Sequence, residues 1–152
     1  MRMPSSFLAS GLKMPRVLRK EKQIRDRAME ILEFVGLQTK FDDPADSLPL
    51  GEQKMLEICR ALATEPELVC LDEPAAGLNE TETETASALI KSIKEKGITI
   101  LLVEHDMRVI MKISDEIMVL NYGEKIAEGS PNEIQNNPHV IEAYLGYGEA
   151  NA

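Results

Sequence analysis

Residues 68–77 read LVCLDEPAAG: four apolar residues, two adjacent acids, and a proline that stops the run. A short, almost uniformly apolar run of this kind is expected of a parallel strand covered by helices on both faces. Asp72 and Glu73 then lie at the strand's carboxyl end, and Pro74 keeps both side chains at the lip of the sheet.

Moving outward, NETETETASALIKSIKEKG, residues 79–97, places acids in a first turn and apolar Ala86, Leu89, Ile90 and Ile93 on one face. Lysines stand near its end and Gly97 is a stop, an order that agrees with the helix dipole. The run ITILLVE, residues 98–104, follows as a second buried strand. Strand, helix and strand make a βαβ unit, whose crossover is right-handed and whose ligands sit beyond the carboxyl ends of the strands. That topology sets Glu104 and His105 beside Asp72 and Glu73.

Upstream, Ile24, Ala28, Ile31, Leu32 and Val35 recur at helical spacing and Gly36 is a stop, which predicts a helix over 22–35 with one buried face. After the loop-like QTKFDDPADS, a second helical period runs through Met55, Ile58, Leu62 and Ala63, with Gly51 at its start. Downstream, DMRVIMKIS reads as a short helix, DEIMVLNYGEKIAEG as a hairpin turning at Asn121 to Gly123, and PNEIQNNPHVIEAYLG as two short helices. There is no internal repeat.

The 152 residues are 43% hydrophobic, enough for one domain with a core. A formal charge of −9 argues against nonspecific nucleic-acid binding, which needs basic patches to displace counterions. The longest apolar run, Ile98 to Val103, is far shorter than the ~20 residues that cross a bilayer. Cys59 and Cys70 both stand in apolar stretches and read as small core residues in a reducing compartment. The first twenty residues carry Arg2, Lys13, Arg16, Arg19 and Lys20 with no acid. Two prolines and Ala9-Ser10-Gly11 interrupt them, so they are expected to form a flexible or partner-contacting arm rather than a cleaved presequence.

Adjacent acids at a strand end suit phosphate chemistry because they can divide the work. Asp72 can hold Mg²⁺, directly or through water, and Glu73 can polarise the water that attacks a terminal phosphate. A plain polar turn is the competing reading. His105, at the neighbouring strand end, can donate a hydrogen bond to the same phosphate, whereas His139 reads as an ordinary surface or core histidine. A glycine at a helix start, Gly51, leaves backbone N–H groups open at the positive dipole end, an anion site in principle.

Together these elements resemble the ATP-binding cassette (ABC) family of transport ATPases. LPLGEQKMLEICRAL, residues 48–62, is similar to the family's signature motif and its helix; LVCLDEP to Walker B with the catalytic glutamate; AAGLN, residues 75–79, to the D-loop; and LLVEHD, residues 101–106, to the switch-histidine region. Within the family, DEPAAGLN, VEHDM and GSPNEIQNNPHVIEAYLG resemble the ATPase subunits of branched-chain amino-acid importers. The resemblance covers residues 16–148 and implies an α/β fold: part of a P-loop NTPase domain, a helical subdomain followed by the carboxyl-terminal part of the parallel core sheet with flanking helices. The organisation it implies is a basic arm at 1–21, helical subdomain and loop at 22–50, signature helix and RecA-like core portion at 51–129, and terminal helices and tail at 130–152.

Carried onto this chain, the resemblance makes Asp72 the Mg²⁺-associated acid, Glu73 the general base and His105 the γ-phosphate sensor. Leu48, Pro49, Leu50, Gly51, Glu52 and Gln53 become the signature segment, closing over ATP held by a second ATPase subunit in a dimer, with Asn79 at the seam. Membrane permease subunits are the other implied partner, at the cytoplasmic face, with no direct membrane insertion and no nucleic acid. Pro49 stands where most members have serine, and Asn79 replaces the usual D-loop aspartate; both fit the branched-chain subgroup. The sequence contains no G-x-x-x-x-G-K-S/T phosphate loop and no glutamine loop. It opens in what the family uses as the helical subdomain, so its strands are expected to expose apolar surface that is normally covered, and the chain alone is expected to be inactive without the missing half. A noncatalytic module that docks on an intact ATPase, and a non-transport cassette ATPase, are the alternative readings.

Overall fold

A computed structural model describes residues 6–145, with side chains for 17–144. The chain divides into two compact units between Pro66 and Glu67.

The first unit pairs helix α1, Ser6–Val35, with helix α2, Leu50–Leu62, across two short 3₁₀ turns at Gln38–Lys40 and Ala45–Ser47. Gly36, at φ +85°, ends α1 as expected, and the Leu37 amide donates back to the Leu32 carbonyl at 2.7 Å. The N-terminal boundary differs from expectation, because α1 begins at Ser6 rather than near residue 22. Interior Gly and Pro cost about 1 and 3 kcal/mol in a helix, yet the helix runs through Gly11 and Pro15, with Leu12, Lys13, Met14 and Arg16 among the strong helix formers around them. The buried face is also shorter than its apolar period. Ile31 and Val35 are buried whereas Ile24 is 69% exposed, since the 13 residues of α2 are less than half the 30 of α1 and cover only its last turns. Met55, Ile58, Cys59 and Leu62 of α2 complete that small core.

The second unit opens with strand β1, Leu68–Asp72, then helix α3, Glu80–Glu95, and strand β2, Thr99–Val103. β1 and β2 pair in parallel, in the register Leu68↔Thr99 through Asp72↔Val103, so the βαβ unit forms as its pattern predicts. Helix α4, Met107–Ile113, follows, and with α3 it covers one face of the pair: Ile90, Val109 and Ile113 pack against Leu71, Ala75, Ile100 and Leu102. Strands β3, Ile117–Asn121, and β4, Glu124–Gly129, form the expected hairpin. Tyr122 (φ +49°) and Gly123 (φ +84°) make its turn. Its inner face, Ile117, Val119 and Ala127, closes over Ile134 of α5, Pro131–Gln135, and Val140 of α6, Pro138–Val140. One irregular turn, Ile141–Leu145, completes the described chain.

The expectation that helices cover both faces of the parallel strands is not met. Leu68, Leu101 and Val103 are half exposed, the last two at 56%, and Cys70 is exposed as well. These four residues share one face with Thr99 and Asp72, because alternate side chains point the same way. Cys70 is therefore not the core residue its neighbours suggested. The exposed apolar surface anticipated from the sequence is this face.

The two thiols should consequently differ in reactivity. Cys59 lies against the Ile31 carbonyl, and burial pushes its pKa up to about 11, leaving little thiolate at pH 8. Titration of the native chain with a chromogenic disulfide is expected to show one fast thiol, lost in Cys70→Ser, and one that reacts only on unfolding. Two equally fast thiols would contradict the burial of α2 against α1.

Candidate functional site

The site grows from the ends of β1 and β2. One residue past β1, the Glu73 amide still donates to the Val103 carbonyl at 2.8 Å, extending the ladder before the chain turns. Glu73 makes that turn at φ +44°, a left-handed conformation unusual for a non-glycine residue. Pro74 behind it is buried, and the Ala76 amide closes the turn onto the Glu73 carbonyl at 3.1 Å. The backbone thus fixes where the Glu73 carboxylate leaves the sheet.

From β2, His105 Nδ1 lies 3.2 Å from Glu73 Oε1, with the two side chains 71% and 51% exposed. Sequence topology set these two residues side by side, and the structure brings them into hydrogen-bond contact. Asp72 is exposed on the open face of the sheet. Glu104, named in the sequence only as a neighbour, accepts from the Ala75 amide through Oε1 at 2.8 Å and from the His105 amide through Oε2 at 3.2 Å. Asp106 caps α4, accepting from the Arg108 amide, and holds the Arg108 guanidinium in a two-point pair at 2.9 and 3.2 Å. That guanidinium keeps the Asp106 carboxyl below the usual range. A cleft of about 320 Å³ lies between Ala75–Leu78, the first turns of α3 and the start of α4. Glu84 and Lys112 face each other there at 3.3 Å.

Asn79 has a local duty that the sequence reading did not assign. Its side chain accepts from the Glu82 amide at 3.0 Å while Glu82 Oε2 accepts from the Asn79 amide at 2.9 Å, a reciprocal capping box that starts α3. The N-x-x-E spacing is the signal that marks it.

In the first unit, Leu48 is buried, Pro49 caps α2 without a side-chain bond, and Leu50 is exposed. Gln53 Nε2 reaches back to the Leu48 carbonyl at 2.8 Å, and Glu52 sits 4.0 Å from Lys40. Gly51 is buried rather than open. The helix start is therefore less accessible at Gly51 than the sequence suggests.

The ABC transporter family profile matches residues 6–76, and the branched-chain amino acid ATP-binding cassette transporter profile matches 124–150. The chain is 45% identical over 143 residues to the high-affinity branched-chain amino acid transport ATP-binding protein BraF of Pseudomonas aeruginosa, covering 93% of this chain and 56% of BraF. It is 48% identical over 141 residues to LivG of Escherichia coli, covering 91% and 55%. Over most of its length the chain is similar to the ATP-binding proteins of ABC transporters. Its fold matches the ADP conformation of MJ1267, an ATP-binding cassette of an ABC transporter, at a TM-score of 0.75 and 34% identity over 82% of this chain and 50% of MJ1267. A nucleotide-free ATP-binding cassette matches at 0.72 and 35% identity, over 82% and 51%. The chain spans about half the length of the curated relatives it matches.

Two substitutions test the local geometry. Asn79→Ala removes an N-cap worth about 1 kcal/mol and is expected to lower the thermal midpoint, whereas Asn79→Asp, which keeps an acceptor, leaves it nearly unchanged. Equal losses in both would disprove the capping role. Because a left-handed non-glycine residue carries strain of order 1 kcal/mol, Glu73→Gly is expected to be at least as stable as the parent in urea denaturation, and Glu73→Val clearly less stable; the reverse order would mean that the turn is unstrained.

Proposed function

We propose that this chain is the carboxyl-terminal part of the ATP-hydrolysing subunit of an ABC importer, with branched-chain amino acids as the transported class. The observation that carries the reading is the Glu73–His105 contact at the joined carboxyl ends of β1 and β2, with Asp72 on the adjoining open face. The identity to BraF and LivG supports the cargo class.

In this reading Glu73 is the general base, its carboxylate accepting a proton from the attacking water as the terminal phosphate departs. His105 donates Nδ1–H to Glu73, and in its protonated form, where both ring nitrogens carry hydrogen, it has a second N–H to offer the γ-phosphate. Asp72 is the Mg²⁺ acid. Among the described residues no three His, Cys, Asp or Glu cluster around a common point. A single exposed carboxylate fits Mg²⁺, which keeps most of its waters and takes one or two carboxylates together with substrate phosphates. Asp72 would hold the ion, which when bound would supply positive charge against the phosphates. Leu48 to Gln53 serve the nucleotide of a second ATPase subunit, and Asn79 lies at the dimer seam. Among the described residues no helix is long and apolar enough to cross a membrane. The likeness to BraF and LivG supports permease subunits at the cytoplasmic face as the other partner.

The open face of β1 and β2 places Leu68, Cys70, Leu101 and Val103 beside Asp72. A polypeptide that covers this apolar surface necessarily abuts the Mg²⁺ acid, and one carrying a phosphate loop would complete the site.

The purified chain is therefore expected to self-associate through that face and to hydrolyse ATP at or near background. Mixing it with a polypeptide containing the amino-terminal half of a LivG-type subunit is expected to raise turnover, and Glu73→Gln to lower kcat at least about 100-fold, the usual contribution of a general base. Brisk turnover by the chain alone would overturn this account. Inhibition of an intact ATPase by added chain, without any gain in the mixture, would instead favour a noncatalytic docking module.

A further inference from the structure

We infer that Glu104 is a positioning residue that locks the base-bearing turn after β1 to the histidine-bearing end of β2. The inference rests on the proposed ATPase reading for its catalytic consequence and on geometry alone for the lock. Of the two segments, one carries Glu73 at φ +44° and the other carries His105, and their side chains meet at 3.2 Å on a half-exposed surface. A pair that open to water contributes little, too little to hold a strained turn against solvent. The backbone bond from Glu73 to Val103 fixes the start of the turn. Beyond it, the Ala75 amide points at Glu104 rather than at a backbone carbonyl of β2.

Glu104 commits both oxygens. Oε1 takes the Ala75 amide, two residues past the base, and Oε2 takes the amide of His105 itself. One carboxylate thus spans the gap between two backbone segments 29 residues apart in sequence, and it does so with charge-assisted bonds, the stronger class. Alanine at 104 leaves both amides to water. Glutamine keeps one oxygen for Ala75, but its amide group cannot accept from His105. The two variants therefore separate the links. Glu104 touches neither water nor phosphate in this scheme, and its effect on turnover passes through the placement of Glu73 and His105.

The lock is tested first on the chain itself by hydrogen-exchange mass spectrometry of peptides spanning 73–78 and 104–107. Relative to the parent, Glu104→Ala is expected to speed exchange in both peptides about tenfold or more, the loss of a hydrogen bond to a charged group. Glu104→Gln is expected to speed only the 104–107 peptide and to keep 73–78 near the parent rate. Unchanged exchange in Glu104→Ala overturns the lock, as does an equal rise across α3 and α4, which would report general loosening. In the assembly with the amino-terminal half, Glu104→Ala is expected to lower kcat about tenfold with KM for ATP unchanged, and Glu104→Gln to recover most of it. A parallel rise in KM, or no recovery with glutamine, overturns the positioning role. If the parent assembly does not hydrolyse ATP, the ATPase reading fails while the exchange measurement still decides the lock.

Discussion

The parallel register of β1 and β2 governs everything at the candidate site. With Asp72 opposite Val103, the next amide, that of Glu73, still reaches the Val103 carbonyl, and the two chains leave the sheet level with one another. Glu73 and His105 can meet only under that condition. A slip of one residue would turn Leu71 outward and Asp72 into the helices. What prevents it is the cluster on the covered face, where Leu71, Ile100 and Leu102 pack against Ile90, Val109 and Ile113. The apolar contacts of α3 and α4 hold the register, and the register holds the polar pair, so a core substitution such as one at Ile90 acts on the site without touching it.

Much of this arrangement could be read from the residues. The β1–α3–β2 order, the placement of both acids at a strand end and the stops at Gly36 and Gly97 follow from period and composition, because each is a local property. The covering of the sheet was not legible. An unbroken apolar run such as LVCL is the usual pattern of a strand covered on both faces; it does not say what covers either face. Among the described residues α3 and α4 cover one face, and Cys70, Leu101 and Val103 lie on the other. Ile24 fails similarly, since its helical spacing describes a face and the length of α2 determines how much of that face is covered. Gly51 is buried although a glycine at a helix start suggests exposure, because burial depends on packing that the local sequence does not specify.

The conformation of Glu73 is a different kind of omission. Positive φ is foreseen at glycine, and Gly77 and Gly123 behave accordingly at φ +79° and +84°. At glutamate it is a cost of order 1 kcal/mol that only surrounding structure can impose. Here the surroundings are the Val103 carbonyl before the turn, buried Pro74 within it and Glu104 after it. The strained residue is also the one to which the resemblance assigns the chemistry, which is where strain is usually retained. The same economy applies at Asn79. The D-loop position doubles as the N-cap of α3, and asparagine caps as well as aspartate does, so the departure from the common family residue leaves the helix start intact.

The exposure of the Glu73–His105 pair bears on what a completing polypeptide must supply. At 51% and 71% exposure both groups are well hydrated, and an interaction worth about 4 kcal/mol at an effective dielectric of 20 falls to about 1 in bulk water. On the proposed reading, a Glu73 base in that setting has bulk solvent around its attacking water, and the charge developing on a departing phosphate is screened. Closing the open face of β1 and β2 would exclude that solvent along the same edge that carries Asp72, raising the strength of each polar contact at the strand ends. On the proposed ATPase reading, supplying a phosphate loop and closing this face are separate requirements. A partner that brought a phosphate loop on a flexible peptide, but left Leu101 and Val103 in water, would bind nucleotide without restoring the electrostatics of the site. On this reasoning, restoration of turnover and burial of the open sheet face are one event.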